Sequence, residues 1–384
     1  MKKAALLLLA MLCPTLPALR AQEARPGWFA QARDFVRERL NATGKAYDTT
    51  YVYRLQTPWA VALDADLIWT GMETHSDVTL QGAGDAQPTH LSGHLRNDRY
   101  QKYGGGLSYG SLQLVYTTEL GARSSQRNRF TYIAFTPARF GVSFLYYTTH
   151  DFLDGTASGG SYPAPVAFSS QYPGEMRNLV ADAFYFFSPK HFAYSAITGR
   201  NLVQRRSGGS FLVRAAYSQG EFRYDLRDAL VRDSQDHVGR YRSGDFTLGA
   251  GYSYNWVPLH RAPEGRSVKG LRNLTLNATL APGVSVYNHL HSTVYDFSDP
   301  DHVTEGKTTR GHSFGLPGVS IAGRAGVSFS WDRFILCSIL TYNRSAFHGI
   351  DSVNLDEQTR RRFETKTGGS FYSLTARIQF NVRF

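Results

Sequence analysis

The chain has 384 residues, 14% aromatic and 19% charged, with a formal net charge of +11. Two cysteines exclude a disulfide-built scaffold, and no run of about 20 continuous apolar residues is present to cross a bilayer as a helix. The bases are scattered without a recognisable nucleic-acid module, so the excess charge reads first as a solvated basic surface, one that could contact anionic lipid headgroups or lipopolysaccharide rather than nucleic acid.

Residues 1–21 carry the pattern of an export signal. Lys2 and Lys3 precede the nine-residue apolar run Ala4 to Leu12, too short to span and right for a signal core, with cleavage expected after Ala21. Cys13 does not make a lipidation site, because Leu12 stands where a small residue is needed. Removing Lys2, Lys3 and Arg20 from a chain of +11 leaves +8, and Cys337 becomes the sole cysteine, with no intrachain partner. Residues 22–56 form a periplasmic segment. Within it Trp28, Phe29, Ala32, Phe35, Val36 and Leu40 recur at helical spacing, between Pro26 and Gly44, and predict a short amphipathic helix over 28–40. That helix could plug a barrel mouth, lie on the membrane or dock a partner.

From 57 to 384 the period changes to two. Trp59, Val61, Leu63, Ala65, Leu67 and Trp69 alternate with Ala60, Ala62, Asp64, Asp66, Ile68 and Thr70. The same alternation runs over 211–217, 246–256, 274–280 and 319–331, and more weakly over 102–109, 112–119, 129–136, 139–149, 176–187, 191–198 and 334–346. It is strictest at the end, where Tyr372, Leu374, Ala376, Ile378, Phe380, Val382 and Phe384 are apolar and every residue between them is polar. A strand with one apolar and one polar face, ending on an aromatic, is how outer-membrane barrels close and how the barrel assembly machinery meets them. Thirteen candidates cannot all be right, since both ends in the periplasm require an even number. The stretch 191–198 is the weakest, and 71–98 is the other place where the count could change. The fold predicted is all-β, a transmembrane antiparallel β-barrel of about 12 strands (alternative 14), monomeric, with the short N-terminal periplasmic helix. Short turns are expected at 137–138, 188–190 and 332–333, and long surface loops at 71–98, 150–175, 219–242, 289–311 and 347–369.

The order Tyr47-Asp48-Thr49-Thr50-Tyr51-Val52, Pro58-Trp59-Ala60-Val61, then Gln204 to Leu212 and the aromatic end resembles the Bacteroidetes family catalogued as domain of unknown function 4421. The resemblance spans about 45–384, with Gly208 where the family tends to have alanine. It implies an outer-membrane barrel of a Bacteroidetes-type bacterium and carries no activity and no catalytic residue.

Three groups of residues have side chains suited to chemistry. His150-Asp151 with Ser158 and Ser161 could form a nucleophilic set in one loop, yet there is no elbow motif. His289, His291, Asp296, Asp299, Asp301 and His302 could hold a metal, without the order of a calcium loop. Asp64, Asp66, Glu119, Arg214, Asp245, Arg324, Arg377 and Arg383 fall on polar faces and must point inward, since a base at the bilayer midplane costs about 2–4 kcal/mol on the lipid face. They either pair in a rigid interior or line a narrow channel that Tyr53, Arg54 and the N-terminal helix obstruct. No catalytic, cofactor or metal residue is assigned. The leading expectation is a non-enzymatic protein of the outer membrane (narrow pore, ligand binder or structural partner). The alternatives are a lipid-modifying hydrolase and a subunit of a larger envelope complex.

Overall fold

The structure is a computed structural model that describes residues 47–384, except 56, 82–87, 97–99, 121–127, 137, 160–161, 199–200, 229–237, 262–267, 297–302 and 355–361. The signal segment 1–21 and the helix expected over 28–40 lie outside the described residues.

Period-2 segments become strands because alternation lets one face meet lipid while the other turns inward. Sixteen strands are described. They are β1 (Val52–Arg54), β2 (Trp59–Gln81), β3 (Thr89–Arg96), β4 (Tyr100–Tyr109), β5 (Leu112–Glu119), β6 (Arg129–Phe135), β7 (Phe140–Gly159) and β8 (Tyr162–Ser169). Then follow β9 (Gly174–Phe186), β10 (Leu202–Gln204), β11 (Gly208–Arg223), β12 (Val238–Arg261), β13 (Arg272–Asp296), β14 (Thr304–Trp331), β15 (Phe334–Asn354) and β16 (Arg362–Arg383). Twelve of them close a ring in the order β2-β4-β5-β6-β7-β9-β11-β12-β13-β14-β15-β16, and β16 returns to β2. The seam is antiparallel from Ala60 opposite Arg383 to Gln81 opposite Arg362. Closure gives every wall strand a partner on both sides, which a sheet in lipid requires, and the β14–β15 ladder runs from Trp331 opposite Phe334 up to Ile321 opposite Arg344. Twelve is the number expected, and these twelve are the expected candidates without 191–198. That stretch is instead part of an inserted connection, with a 3-10 turn at Tyr194–Thr198.

The predicted facing holds. Leu63, Phe211, Leu280 and Ile378 are 58–68% exposed on the outside. Their neighbours Asp64, Asp66, Leu212, Gln379 and Asn381 are buried inside. Trp59 stacks on Tyr109, and Trp331 groups with Phe334 and Phe380, forming an aromatic rim at the end that holds Phe384. Call this the lower end. Three of the connections there are short, those after β4, β6 and β14. Gly110 (φ 57°) turns β4 into β5, and Asp332 (φ 50°) turns β14 into β15 while its carboxylate accepts the Gly270 N–H at 2.6 Å.

The long loops expected at the upper end are mostly strand, which corrects the sequence reading. β2 runs on to Gln81, β3 fills 89–96, and β12, β13 and β14 are 24, 25 and 28 residues long. A span needs only about 9–11 residues, so these hairpins project well beyond an apolar belt. Beyond lipid both faces are wet, alternation lapses, and the pattern reads as loop although the ladder continues. β3 pairs with the upper half of β2 and with the upper half of β7, arching over the short strands β4, β5 and β6.

Candidate functional site in the barrel lumen

The lumen is stacked in layers, and strand register fixes their order. At the lower end the connection 187–207 between β9 and β11 folds inward as a plug. Its strand β10 pairs with β1, with Val52 opposite Gln204. Phe192, Ala193, Ile197, Leu202 and Val203 are all buried. Phe192 packs with Phe186, Leu212 and Ala281 of the wall; Ile197 packs with Cys337 and Ile339. Leu55 and Val203 pack with Leu271. Polar groups of the wall and of the plug itself fasten the plug backbone. The Asn255 amide donates to Ala193 O at 2.9 Å, and the Gln204 amide donates to His191 O at 2.7 Å and Arg206 O at 2.9 Å. Asp48 turns the chain into β1. Its carboxylate accepts the Thr50 N–H (2.9 Å) and hydroxyl (2.8 Å), and these bonds hold it below the usual carboxylate range. Tyr53 and Arg54, expected to obstruct the lumen together with the N-terminal helix, lie on β1 and pair with Val203 and Leu202 of the plug; the helix lies outside the described residues.

Above the plug lies a cavity of about 130 Å3, lined by Tyr194 and Thr198 of the plug and by Asp182, Arg324, Thr341 and Arg377 of the wall, among others. Arg377 donates to both Asp66 oxygens at 2.7 and 3.2 Å and stands 3.9 Å from Asp64. Thr117 donates to Asp66 at 2.8 Å, and Gln379 donates to Asp64. Arg377 also lies 4.9 Å over the Phe130 ring. Higher up is a second space of about 40 Å3, lined by Asn178, Arg214, Asp245 and Ser320 among others. There Arg214 pairs with Asp182 at 2.5–2.7 Å, while Asp245 accepts hydroxyl bonds from Thr247 (2.7 Å) and Ser285. Above both, Met72, Leu95, Leu153, Met176 and Phe222 form a buried apolar layer, with Phe168 and Phe371 packed on it. Going up each strand preserves this order: Asp182, Asn178, Met176 on β9, and Arg377, Ser373, Phe371 on β16.

All eight charges expected inside are on the inner side. Asp64, Asp66, Arg214, Asp245, Arg377 and Arg383 are buried, Arg383 completely, with its guanidinium donating to Asp332 O and Ser330 Oγ at 3.0 Å each. Glu119 accepts from Asn128 at 2.9 Å, and Arg324 faces the lower cavity. The sequence pattern does not reveal further inner charges, among them Lys102 and Asp182. Lys102 is completely buried and sits in register between Asp66 and Glu119. The run Gly104-Gly105-Gly106 beside it has no side chains to show which face is which. Asp182 lies on β9, where Phe184, Phe186 and Met176 also point inward because they meet the plug and the apolar layer. An inner face with apolar contacts blurs the alternation.

The nucleophilic set does not assemble. His150 and Asp151 are neighbours on β7 and so face opposite sides, with Asp151 buried and bonded to Thr149 at 2.9 Å. Ser158 is on the same strand, about 27 Å along at ~3.4 Å per residue. Ser161 lies outside the described residues. Of the metal candidates, His289 and His291 do share a face of β13, their rings 5.1 Å apart. Asp296 ends that strand, and Asp299, Asp301 and His302 lie outside the described residues. Among the described residues no group of three or more ligating side chains converges.

A closed ring of twelve antiparallel strands, apolar outside and polar within, defines a β-barrel of the outer-membrane class. The chain belongs to the family described as domain of unknown function DUF4421, whose profile matches residues 69–368. Among curated proteins none matches it. Two solved structures are similar. One is the outer membrane protease OmpT from Escherichia coli, at 11% identity, covering 85% of this chain and 98% of that one, with a TM-score of 0.46. The other is the translocator domain of autotransporter NalP from Neisseria meningitidis, at 11% identity, covering 92% and 96%, with a TM-score of 0.30. Likenesses this distant carry no argument about activity.

Proposed function

We propose that the protein is a non-enzymatic resident of the outer membrane of a Bacteroidetes-type bacterium, a barrel closed at rest whose lumen holds rather than conducts. One observation carries this reading: the lumen is barred twice, by the plug around Ile197 below and by the apolar layer around Met176 above. Between the bars the charges are largely neutralised in pairs, as a rigid interior requires and a conducting path does not. The lipid-hydrolase alternative loses its motive, because His150 and Ser158 stand apart on one strand. Refolded protein in a planar bilayer is expected to be electrically silent, with folding checked by heat-modifiable gel mobility. Steady unitary conductance would overturn the closed-barrel reading.

Residence among anionic lipids has a specific foothold. Arg261 of β12 and Arg272 of β13 are direct cross-strand partners on the outer face. They lie one step below Leu259 and Leu274, and Trp331 is the next partner of Arg272. Like charges placed directly opposite repel, unless an anion sits between them. Asp332, 3.5 Å from Arg272, offsets only part of this charge. At the aromatic rim that anion is a phospholipid headgroup. A base near an anionic surface contributes about 1 kcal/mol, so the double substitution R261Q/R272Q is expected to weaken retention of phosphatidylglycerol by roughly 30-fold. Native mass spectrometry from mixed micelles reads this directly. Equal retention by wild type and variant would remove the foothold.

A further inference from the structure

Among the described guanidinium groups that line the lower cavity, Arg324 is the one no carboxylate holds. Arg377 is held by Asp66, and Arg214 by Asp182. Arg324 rises from β14 into the lower cavity with its guanidinium 4.5 Å over the Tyr194 ring of the plug. Stacking occupies its face and leaves its edge, where the N–H donors are, open to the cavity. Among the described residues it donates no hydrogen bond and meets no carboxylate.

The strands beside it repeat the theme. Arg324 is the direct cross-strand partner of Thr341 on β15, and Thr341 is the partner of Thr375 on β16. Adjacent strands are about 4.8 Å apart, so a guanidinium and two hydroxyls form one row at one height. All three line the cavity, and neither threonine makes a side-chain hydrogen bond to a described residue. Asn343 borders the same space two residues up β15 and is likewise uncommitted. On the far wall stand Leu145, Phe130 and Phe184. The cavity thus has a cationic, hydroxyl-bearing side, while the far wall offers these apolar surfaces beside Gln113, Ser143 and the Arg214-paired Asp182. Its volume, about 130 Å3, compares with the roughly 150 Å3 of an engineered cavity that admits benzene.

We infer that this cavity is a binding site for a small organic carboxylate. The Arg324 fork takes the carboxylate in a bidentate pair, which matches guanidinium geometry and discriminates against neutral isosteres. Thr341 and Thr375 donate to the same oxygens, and the organic body rests on Leu145, Phe130 and Phe184. A monoanion is specified because, of the two guanidinium groups that line this cavity, Arg377 is held by Asp66 and Arg324 alone is open to a ligand. The plug supplies both the floor of the site and the ring on which Arg324 is stacked, so the site exists only in the plugged barrel.

The inference rests on the closed-barrel reading, and conductance of the same refolded preparation reports on that reading separately. Full-length protein, refolded with benzoate present so that entry past the plug and the upper layer is not limiting, is compared by equilibrium dialysis with benzyl alcohol and inorganic phosphate as ligands. Benzoate is expected to bind at least tenfold tighter than benzyl alcohol. R324Q should lose at least tenfold in benzoate affinity, and R324K, which keeps the charge without the fork, should fall between. Heat-modifiable mobility confirms that each variant has folded. Should R324Q fail to fold, T341V/T375V, which removes both hydroxyls and keeps the volume, is expected to weaken benzoate severalfold. Benzoate binding that is equal to benzyl alcohol, unchanged in R324Q, or absent from an electrically silent wild type overturns the site. Phosphate binding without benzoate binding overturns the organic ligand.

Discussion

Replacing Arg377 with methionine is expected to cost the folded barrel about 3–5 kcal/mol, the usual penalty for removing one partner of a buried ion pair. The pair is well enclosed: the Arg377 side chain is 11% exposed, and Asp64 and Asp66 are 0% exposed. Without the guanidinium, two carboxylates at cross-strand neighbour positions of Arg377 and Gln379 remain buried in one layer. Lys102, in register with Asp66, is the nearest remaining base in that row. Asp66→Asn should cost less, because Asp64 stays 3.9 Å from the guanidinium and can share its charge. Replacing both partners, D66L/R377M, should recover most of the loss, since an apolar pair of similar volume leaves no uncompensated ion. Unfolding in urea, followed by gel mobility, measures the order R377M, D66N, double variant. If R377M costs under about 1 kcal/mol, the value of a solvated surface pair, then water reaches this layer and the lumen is not dry.

Much of this architecture was legible in the chain. Residues 59–70 and 372–384 show their inner and outer faces without ambiguity, because lipid tolerates no charge outside and the inner layer here is ionic. The strand number followed once 191–198 was doubted. What could not be read has a common physical cause: the alternation encodes a contrast between lipid and a polar interior, and it fades wherever that contrast fades. It fades above the membrane, where β12, β13 and β14 continue as wet hairpins. It fades on β9, whose inner face is apolar at Phe186 because Phe192 of the plug packs there, and at Met176 because the upper layer begins. It fades at Gly104 to Gly106, where a Cβ at Gly104 would collide with the backbone of Tyr116 and Thr117. The plug itself had no signature beyond scattered apolar residues, since its strand β10 is three residues long. The cavity followed from none of this. The sequence places Arg324 on an inner face, but only the plug's Tyr194 and the pairing of Arg377 with Asp66 make it the open guanidinium of that cavity.

The sharpest consequence of two bars in series is that breaking either one alone should change nothing electrically. Replacing Pro189 to Ser207 by a four-residue glycine-serine turn removes the plug while keeping the hairpin, because Phe187 N–H already bonds Phe211 O across the β9–β11 junction. Both cavities would then open to the periplasm, yet Met176, Phe222 and their neighbours still close the top. The variant is expected to stay silent. Thinning the upper layer alone, with M176S/F222S, leaves Ile197 and Phe192 seated below and should also stay silent. Combining the two removes both bars, and the combined variant is expected to show steady unitary conductance in a planar bilayer. Its ion preference is set by the charges left in the wall, where Arg324 would then face open water. The pattern of silent, silent, conducting is the signature of serial closure. Conductance after plug removal alone would show that the apolar layer is not a barrier. A silent double variant that still folds would place the closure in the pair-bonded layer of Asp66, Arg377, Asp182 and Arg214, where only charge-removing substitutions open a path.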